Sequence, residues 1–415
     1  MIIILKMIAV LLVMIFLIRK RFSFGNAMLA ASLLLFLLTS PKLQNLLLAF
    51  SNTFQSSGTW ILILSMYLVM CLEYILRTSG LLKDFASSAR KLFGGSDRAL
   101  LAFMPAFLGF LPSYGGAIFS APLVKESGAR YKLTPEHNST INYWFRHVWE
   151  FTNPILPAFL MAGQITGIHA GTLIKSQAVF TLTMILLGTT VLLTGKRFKL
   201  PAKPHISTEI KIDNTKTSNI SYRSILLSAG PIFLNVLLVV IFNLNTALSM
   251  GLVVLEMIII LKFRKGDTIS MLKSAFDFNI LWGLAVIMFF QQILLTTGTI
   301  DQITSLFQSS GIPLEAIIGL TAFSIGLLTG SPQGFIAVTF PIIAAVSPGN
   351  LNLIAIGYVT GLAGSMSSPA HLCLLVTIEY FKADFLKTLL PVLVMEFIMV
   401  CFVYFYTMVF LPVLF

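Results

Sequence analysis

Two short polar runs interrupt apolar sequence in this chain, and each occurs twice. The first pair is Leu111-Pro112-Ser113-Tyr114-Gly115-Gly116 and Thr329-Gly330-Ser331-Pro332-Gln333-Gly334. The second is Thr152-Asn153-Pro154 and Ser367-Ser368-Pro369. Proline removes a backbone donor and clashes with the preceding turn, so each run unwinds a helix. Within hydrocarbon, unwound backbone must be satisfied by protein, water or a ligand. The N–H groups at helix starts then suit an anion, and freed carbonyls suit Na⁺. Small Ser and Gly side chains let a ligand approach closely. The substrate-binding candidates are therefore Ser113, Tyr114, Gly115, Gly116, Thr152, Asn153, Pro154, Ser331, Pro332, Gln333, Gly334, Ser367, Ser368 and Pro369. Ser113, Asn153, Ser331 and Ser368 are the candidates for Na⁺, and Gly361, Gly364 and Ser365 are expected to widen the second break. The plainer alternative is a set of kinks and packing glycines, against which the duplication argues.

Ionisable residues stand beside these runs. Arg146, His147 and Glu150 precede Thr152. Residues four apart share a helix face, which pairs Arg146 with Glu150. Either Arg146 attracts an anionic substrate while Glu150 or His147 handles a proton, or Arg146 and Glu150 form a structural pair that holds the broken helix. Charge within a membrane marks function by default, but structural pairs also occur. His371 follows Pro369 by two residues and is a further ligand or proton candidate. Glu73 is a possible proton carrier, but its counterpart Gln291 makes the same polar contacts without titrating. Glu396 is read the same way. Cys71, Cys373 and Cys401 are too few and too scattered for a disulfide framework or a zinc site and read as small buried hydrophobes.

These residues need elements to position them, and the sequence repeats those elements. Glu73-Tyr74-Ile75-Leu76 aligns with Gln291-Gln292-Ile293-Leu294, an offset of 218 (291 − 73). The same offset pairs Ser79-Gly80 with Thr297-Gly298, and Ser113, Gly116 and Ile118 with Ser331, Gly334 and Ile336. An offset of 215 (358 − 143) pairs Tyr143 with Tyr358, and the Thr-Asn-Pro run with Ser-Ser-Pro. Duplication with helix breaks at corresponding places is the pattern of a secondary transporter with its site at the repeat interface.

Composition places the chain in a membrane. Of its 415 residues, 57% are hydrophobic and 11% charged, against roughly 25% charged in soluble domains. Apolar stretches of spanning length lie near 3–18, 25–40, 59–79, 139–168, 173–194, 223–243, 246–262, 279–298, 350–381 and 386–412. Two more, 99–124 and 312–346, carry Pro/Gly/Ser interruptions in their middles. If those two are re-entrant hairpins, the loops at 19–21, 80–98, 125–138, 195–222, 262–277 and 382–387 share one side and hold most of the Lys and Arg. The other side holds Lys6, Lys42 and Lys175. The basic side is cytoplasmic, which puts the N-terminus outside. The net charge of +12 is thereby a topology signal rather than one for nucleic acid. The apolar N-terminal run has no small-residue cleavage site and reads as a retained first helix.

The expected fold is an all-α polytopic membrane protein of about ten spans, two hairpins and two broken helices. Its halves, 1–194 and 223–415, have inverted topology and are joined by a cytoplasmic linker at 195–222. No zinc-ligand spacing, Walker loop or Gly-x-Ser-x-Gly elbow points to an enzyme or to nucleotide-driven transport.

This series of spans, hairpin, interrupted span and final span resembles the ion transporter superfamily. That group includes divalent anion/sodium symporters, gluconate and citrate permeases, arsenite permeases and some sodium/proton antiporters. The likeness extends over nearly the whole chain and is greatest to a prokaryotic branch of about ten spans. In the divalent anion symporters a Ser-Asn-Thr marks each hairpin tip and contacts carboxylate and Na⁺. Here the tips read Pro-Ser-Tyr-Gly-Gly and Gly-Ser-Pro-Gln-Gly, so only Ser113 and Ser331 carry over. The resemblance implies a homodimer in the cytoplasmic membrane of a prokaryote, with a rigid scaffold and a transport domain that shifts like an elevator. The expected activity is secondary active transport of a small organic anion, a carboxylate, coupled to Na⁺ or H⁺, by symport or antiport and with no other cofactor. A cation/proton antiporter on the same fold would instead use Glu150, His147 or Glu73. A static scaffold has little use for buried unwound backbone.

Overall fold

A computed structural model describes residues 2–81, 85, 88, 96–110, 116–195, 198 and 222–409. Nineteen helices and no strand occur among these residues. The first half contains α1 (Ile2–Arg19), α2 (Phe24–Thr39), α3 (Leu43–Gln55), α4 (Ser57–Thr78), α5 (Asp97–Gly109), α6 (Gly116–Arg130), α7 (Pro135–Arg146), α8 (Pro157–Thr166) and α9 (Ala170–Leu192). The second contains α10 (Tyr222–Val240), α11 (Thr246–Ile260), α12 (Lys265–Ser274), α13 (Phe278–Thr296), α14 (Thr299–Ser310), α15 (Leu314–Thr329), α16 (Pro332–Val346), α17 (Leu351–Met366), α18 (Leu372–Phe381) and α19 (Phe385–Val409).

The chain is an all-α, multi-pass membrane protein. Among the described helices, α4, α9, α13 and α19 are long and apolar enough to cross a bilayer. At 1.5 Å per residue, a helix of 23 residues such as α9 spans about 35 Å, more than the roughly 30 Å hydrocarbon core. Helix α17, with 16 residues, reaches only about 24 Å. It therefore needs the chain beyond its break to complete a crossing. Leu12, Phe16, Leu37, Leu186, Phe233, Ile241, Leu390 and Phe397 lie exposed on the outer helices. In water such surface would drive association; in lipid it is the solvated face.

Helices of one half pack against helices of the other. Helix α2 packs on α13 and α4 packs on α11, and by the 218 offset these two pairs correspond. Gly25 lets α2 approach Gly283, where a Cβ would meet the α13 backbone at 3.0 Å. Trp282 Nε1 donates to Asn26 Oδ1 across the same contact at 3.0 Å. On the α4–α11 side, Ser65 and Thr246 hydroxyls are hydrogen-bonded at 2.8 Å.

Several boundaries differ from the sequence expectation. The apolar stretch expected from 139 starts at Pro135, capped by Thr134, whose Oγ1 accepts from His137 N. The loop expected at 262–277 contains α12, and α3 and α14 are further helices outside the expected spans. Their polar faces dilute the hydropathy that marks a span. The linker residues 199–221 and the first tip, 111–115, lie outside the described residues.

Candidate functional site

The first broken helix loses regular structure at His147, six residues ahead of Asn153. Residues 147–156 form successive turns, in which Glu150 N donates to His147 O and Asn153 N to Trp149 O. Arg146 and Glu150 therefore do not share a helix face as expected: α7 ends at Arg146 and Glu150 lies in the turns. Asn153 is fully buried and organises the break. Its Nδ2 donates to Phe110 O at 3.0 Å, and its Oδ1 accepts from Ile155 N at 3.1 Å. Phe110 also stacks on Trp149, with ring centroids 4.5 Å apart.

Arg146 is 7% exposed and its Nη1 donates to Leu108 O at 3.2 Å. The end of the first hairpin's α5 thus rests on the first break. At the other end of that hairpin, Arg130 and the buried Asp97 form an ion pair of 2.7 Å that clasps α5 to α6. Thr152 faces α9, its hydroxyl 3.0 Å from that of Thr181.

The second break is shorter. Ser367 N donates to Ala363 O, Ser368 N to Ser365 O and His371 N to Ser368 O. Ser368 Oγ accepts from Ala370 N at 3.1 Å. Gly361, Gly364 and Ser365 do not widen this break; they lie inside α17. The two glycines instead permit close packing, since a Cβ on Gly364 would collide with Phe323 O of α15 and one on Gly361 with the Phe335 ring of α16. The second hairpin tip abuts the break: a Cβ on Gly330 would lie 2.8 Å from Ala370 C and 2.9 Å from His371 N. Gly330 has φ +62, which glycine adopts without strain. Beside it Ser331 Oγ donates to Gln333 Oε1 at 2.7 Å, and Gly334 is buried in the first turn of α16.

The two breaks meet. His147 and His371 approach with Nε2 atoms 3.2 Å apart, although 224 residues separate them. Tyr143, fully buried on α7, donates its hydroxyl to Met366 O at the end of α17. Asn142 of α7 donates to Thr377 Oγ1 of α18 and accepts from Ser120 Oγ of α6. Cys373 joins the group, its sulfur and the ligating nitrogens of His147 and His371 all lying within 4.8 Å of one another. Across the breaks Asn142, Tyr143 and His147 thus reach Thr377, Met366 and His371, with Cys373 beside the histidine pair, whereas Asn153 bonds to Phe110 and Ile155 and Ser368 to Ala370. Sequence reasoning missed Cys373 and the Tyr143 and Asn142 bridges. One neighbour of Cys373, His147, comes from the other half, which spacing cannot reveal; the other, His371, stands two residues before it.

Three described helices that start at the tips and breaks have no side-chain cap: α8 at Leu156, α16 at Ser331 and α18 at His371. Helices α2, α7, α11, α13 and α17 are capped by Ser23, Thr134, Asn245, Asp277 and Asn350, whereas α3, α4, α5, α14 and α15, which do not start at a tip or break, also lack a side-chain cap. Uncapped first-turn N–H groups carry the positive end of the helix dipole.

Glu73 lies on α4, and Glu396 lies on α19, which packs on both α7 and α17. Glu396 is 4% exposed. Gln291, the counterpart of Glu73, donates to Ile165 O at 3.2 Å. Ser113, Tyr114 and Gly115 fall outside the described residues; Gly116 begins α6.

With this geometry established, similarity to other proteins can be placed on it. The DUF401 family, described as protein of unknown function, matches residues 2–410. The chain belongs to that family. No curated protein matches it. Its fold is similar to that of the Alcanivorax borkumensis YdaH transporter, whose crystal structure has an unusual topology. The TM-score is 0.60 at 14% identity, over 88% of each chain. At that identity the likeness is one of fold.

Proposed function

We propose that this DUF401 protein is a secondary transporter that carries a small organic anion, a carboxylate, across the cytoplasmic membrane with Na⁺ or H⁺. The carrying observation is a buried guanidinium, Arg146, at the meeting point of two helix breaks, together with the uncapped helix starts at Ser331 and His371. Buried cation and free N–H donors together favour an anion over a neutral solute. Carbonyls at the ends of α7 and α17, several of which already accept from Tyr143, His147, Ser367 and Ser368, are the complementary sites for a coupling cation. The matching order of helices in the two halves supports inverted repeats, with 195–222 as a cytoplasmic linker. The shared fold with a transporter, YdaH, supports transport as the activity. Elevator motion and a homodimer belong to the same reading.

The test is a thermal-shift screen of purified protein over carboxylates, sugar acids and amino acids, in Na⁺ or K⁺ and across pH, followed by uptake into proteoliposomes. Stabilisation by one anion, enhanced by Na⁺ or low pH, is expected because a ligand of the folded state raises its melting temperature. Gradient-driven cation exchange without any organic substrate would replace this reading by a cation/proton antiporter. Glu150 in the turns beside Arg146 and the buried His147–His371 pair favour that second reading.

A further inference from the structure

We infer that His147, His371 and Cys373 form a binding site for a borderline transition-metal ion of the Zn²⁺ class, bridging the two helix breaks. The ligating atoms of the three residues lie within 4.8 Å of one another. The two imidazole Nε2 atoms are 3.2 Å apart. Two nitrogens on one tetrahedral zinc, each at about 2.0–2.1 Å, are separated by roughly 3.3 Å. The existing spacing is thus that of a coordinated pair.

Hydrogen bonding at the far side of each ring points the same way. His147 Nδ1 lies 2.7 Å from Tyr143 O. A carbonyl only accepts, so this ring carries its proton on Nδ1 and turns the Nε2 lone pair toward His371. His371 Nδ1 lies 3.2 Å from Ser365 O. When it donates to that carbonyl rather than accepting from Ser365 Oγ, 3.3 Å away, a second lone pair faces the first, and a cation between the rings relieves the repulsion. Metal-binding histidines are held in this way, with the second nitrogen donating to a carbonyl. Cys373 supplies a softer third ligand on the same side, and imidazole with thiolate suits zinc. Three protein ligands leave the fourth tetrahedral position open, as in zinc sites that bind a further molecule.

The consequence is mechanical. His147 ends the helical part of α7, whereas His371 and Cys373 begin α18. An ion held by all three fastens the first break to the second. Metal occupancy is then expected to arrest any motion in which the breaks separate.

The experiment uses the full chain, purified in detergent and stripped with a chelator. Zn²⁺ binding is measured by equilibrium dialysis, and Co²⁺ is added as a spectroscopic probe. One Zn²⁺ per chain, a raised melting temperature and a thiolate-to-cobalt charge-transfer band are expected. Cys373→Ser should remove that band while weaker Co²⁺ binding persists, and His371→Gln should weaken Zn²⁺ binding by at least tenfold. The band is read on the unsubstituted protein, so a variant that fails to fold does not remove the test. Absence of Zn²⁺ binding, or binding unchanged in both folded variants, overturns the inference. The facing nitrogens would then be a simple imidazole–imidazole hydrogen bond, with Ser365 Oγ, 3.3 Å away, donating to Nδ1. No transport substrate enters the assay, so its outcome is independent of the uptake result.

Discussion

The two breaks occupy matching places in the repeat but are built from different materials. At the 215 offset Arg146 falls opposite Gly361, His147 opposite Leu362, Glu150 opposite Ser365 and Asn153 opposite Ser368. The first break runs over residues 147–156 and is held by side chains: the Asn153 amide on Phe110 O and the Phe110–Trp149 stack. The second spans 367–371 and is held by local backbone bonds and by glycines that let whole helices touch. Charge and hydrogen-bond chemistry have gathered in one copy, and close backbone approach in the other. A duplicated site need not keep its chemistry duplicated; one half can supply recognition while the other supplies rigid placement.

The comparison can be broken most severely at Gly364. Gly364→Ala drives a methyl into Phe323 O, and backbone cannot move aside as a side chain tip can. Loss of monodisperse, folded protein on size-exclusion chromatography is expected, corresponding to more than about 3 kcal/mol of overpacking. Retention of a normal melting temperature would show that the second break does not depend on helix contact. Next in size, Arg146→Gln should lower carboxylate uptake by roughly 30-fold or more, the scale of a lost charge-assisted bond of about 2 kcal/mol, while the protein stays monodisperse. Uptake within twofold of normal would remove Arg146 from anion recognition.

The sharpest version of the comparison is a matched pair. Asn153→Ala strands the buried Phe110 O and should cost about 1–3 kcal/mol in thermal or denaturant unfolding. Ser368→Ala loses one bond to the backbone of the exposed Ala370 and should cost under about 1 kcal/mol. Equal costs would contradict the division of labour described above. The smallest stability effect is expected at the second tip: Ser331→Ala loses only its bond to Gln333 and should leave melting within a degree or two. Its uptake should fall; unchanged uptake in both Ser113→Ala and Ser331→Ala would eliminate the tip hydroxyls as ligand contacts.

Much of this architecture was legible because proline and glycine act locally. Pro154, Pro332 and Pro369 mark interruptions where small or polar residues flank them and the repeat offset places a second break, whereas Pro105, Pro122, Pro231, Pro341 and Pro391 lie inside helices. What stayed hidden depended on distance or on neighbours. Unwinding begins at His147 rather than at Thr152, and Asn153 reaches across to Phe110, a contact no spacing rule reveals. Gly361 and Gly364 looked like part of a break, yet they sit inside a regular helix, since a glycine that admits another backbone has the same sequence signature as one that ends a helix. Cys373 gains significance through His371, two residues before it, together with His147 on the opposite half. The short amphipathic α3 escaped a reading tuned to long apolar runs.

The contact of Gly364 with Phe323 O also limits how the molecule can move. Helices separated by a layer of side chains can slide by small rotamer changes, the basis of shear motion. Helices α15 and α17 have no such layer at this point; backbone rests on backbone, and Gly326 meets Gly361 O in the same way. They must travel as one rigid unit, so any displacement of the second hairpin carries the first arm of the second broken helix with it. Hinges for such a displacement then belong in the connections that enter this unit, at 311–313 and 367–371, rather than between its two helices.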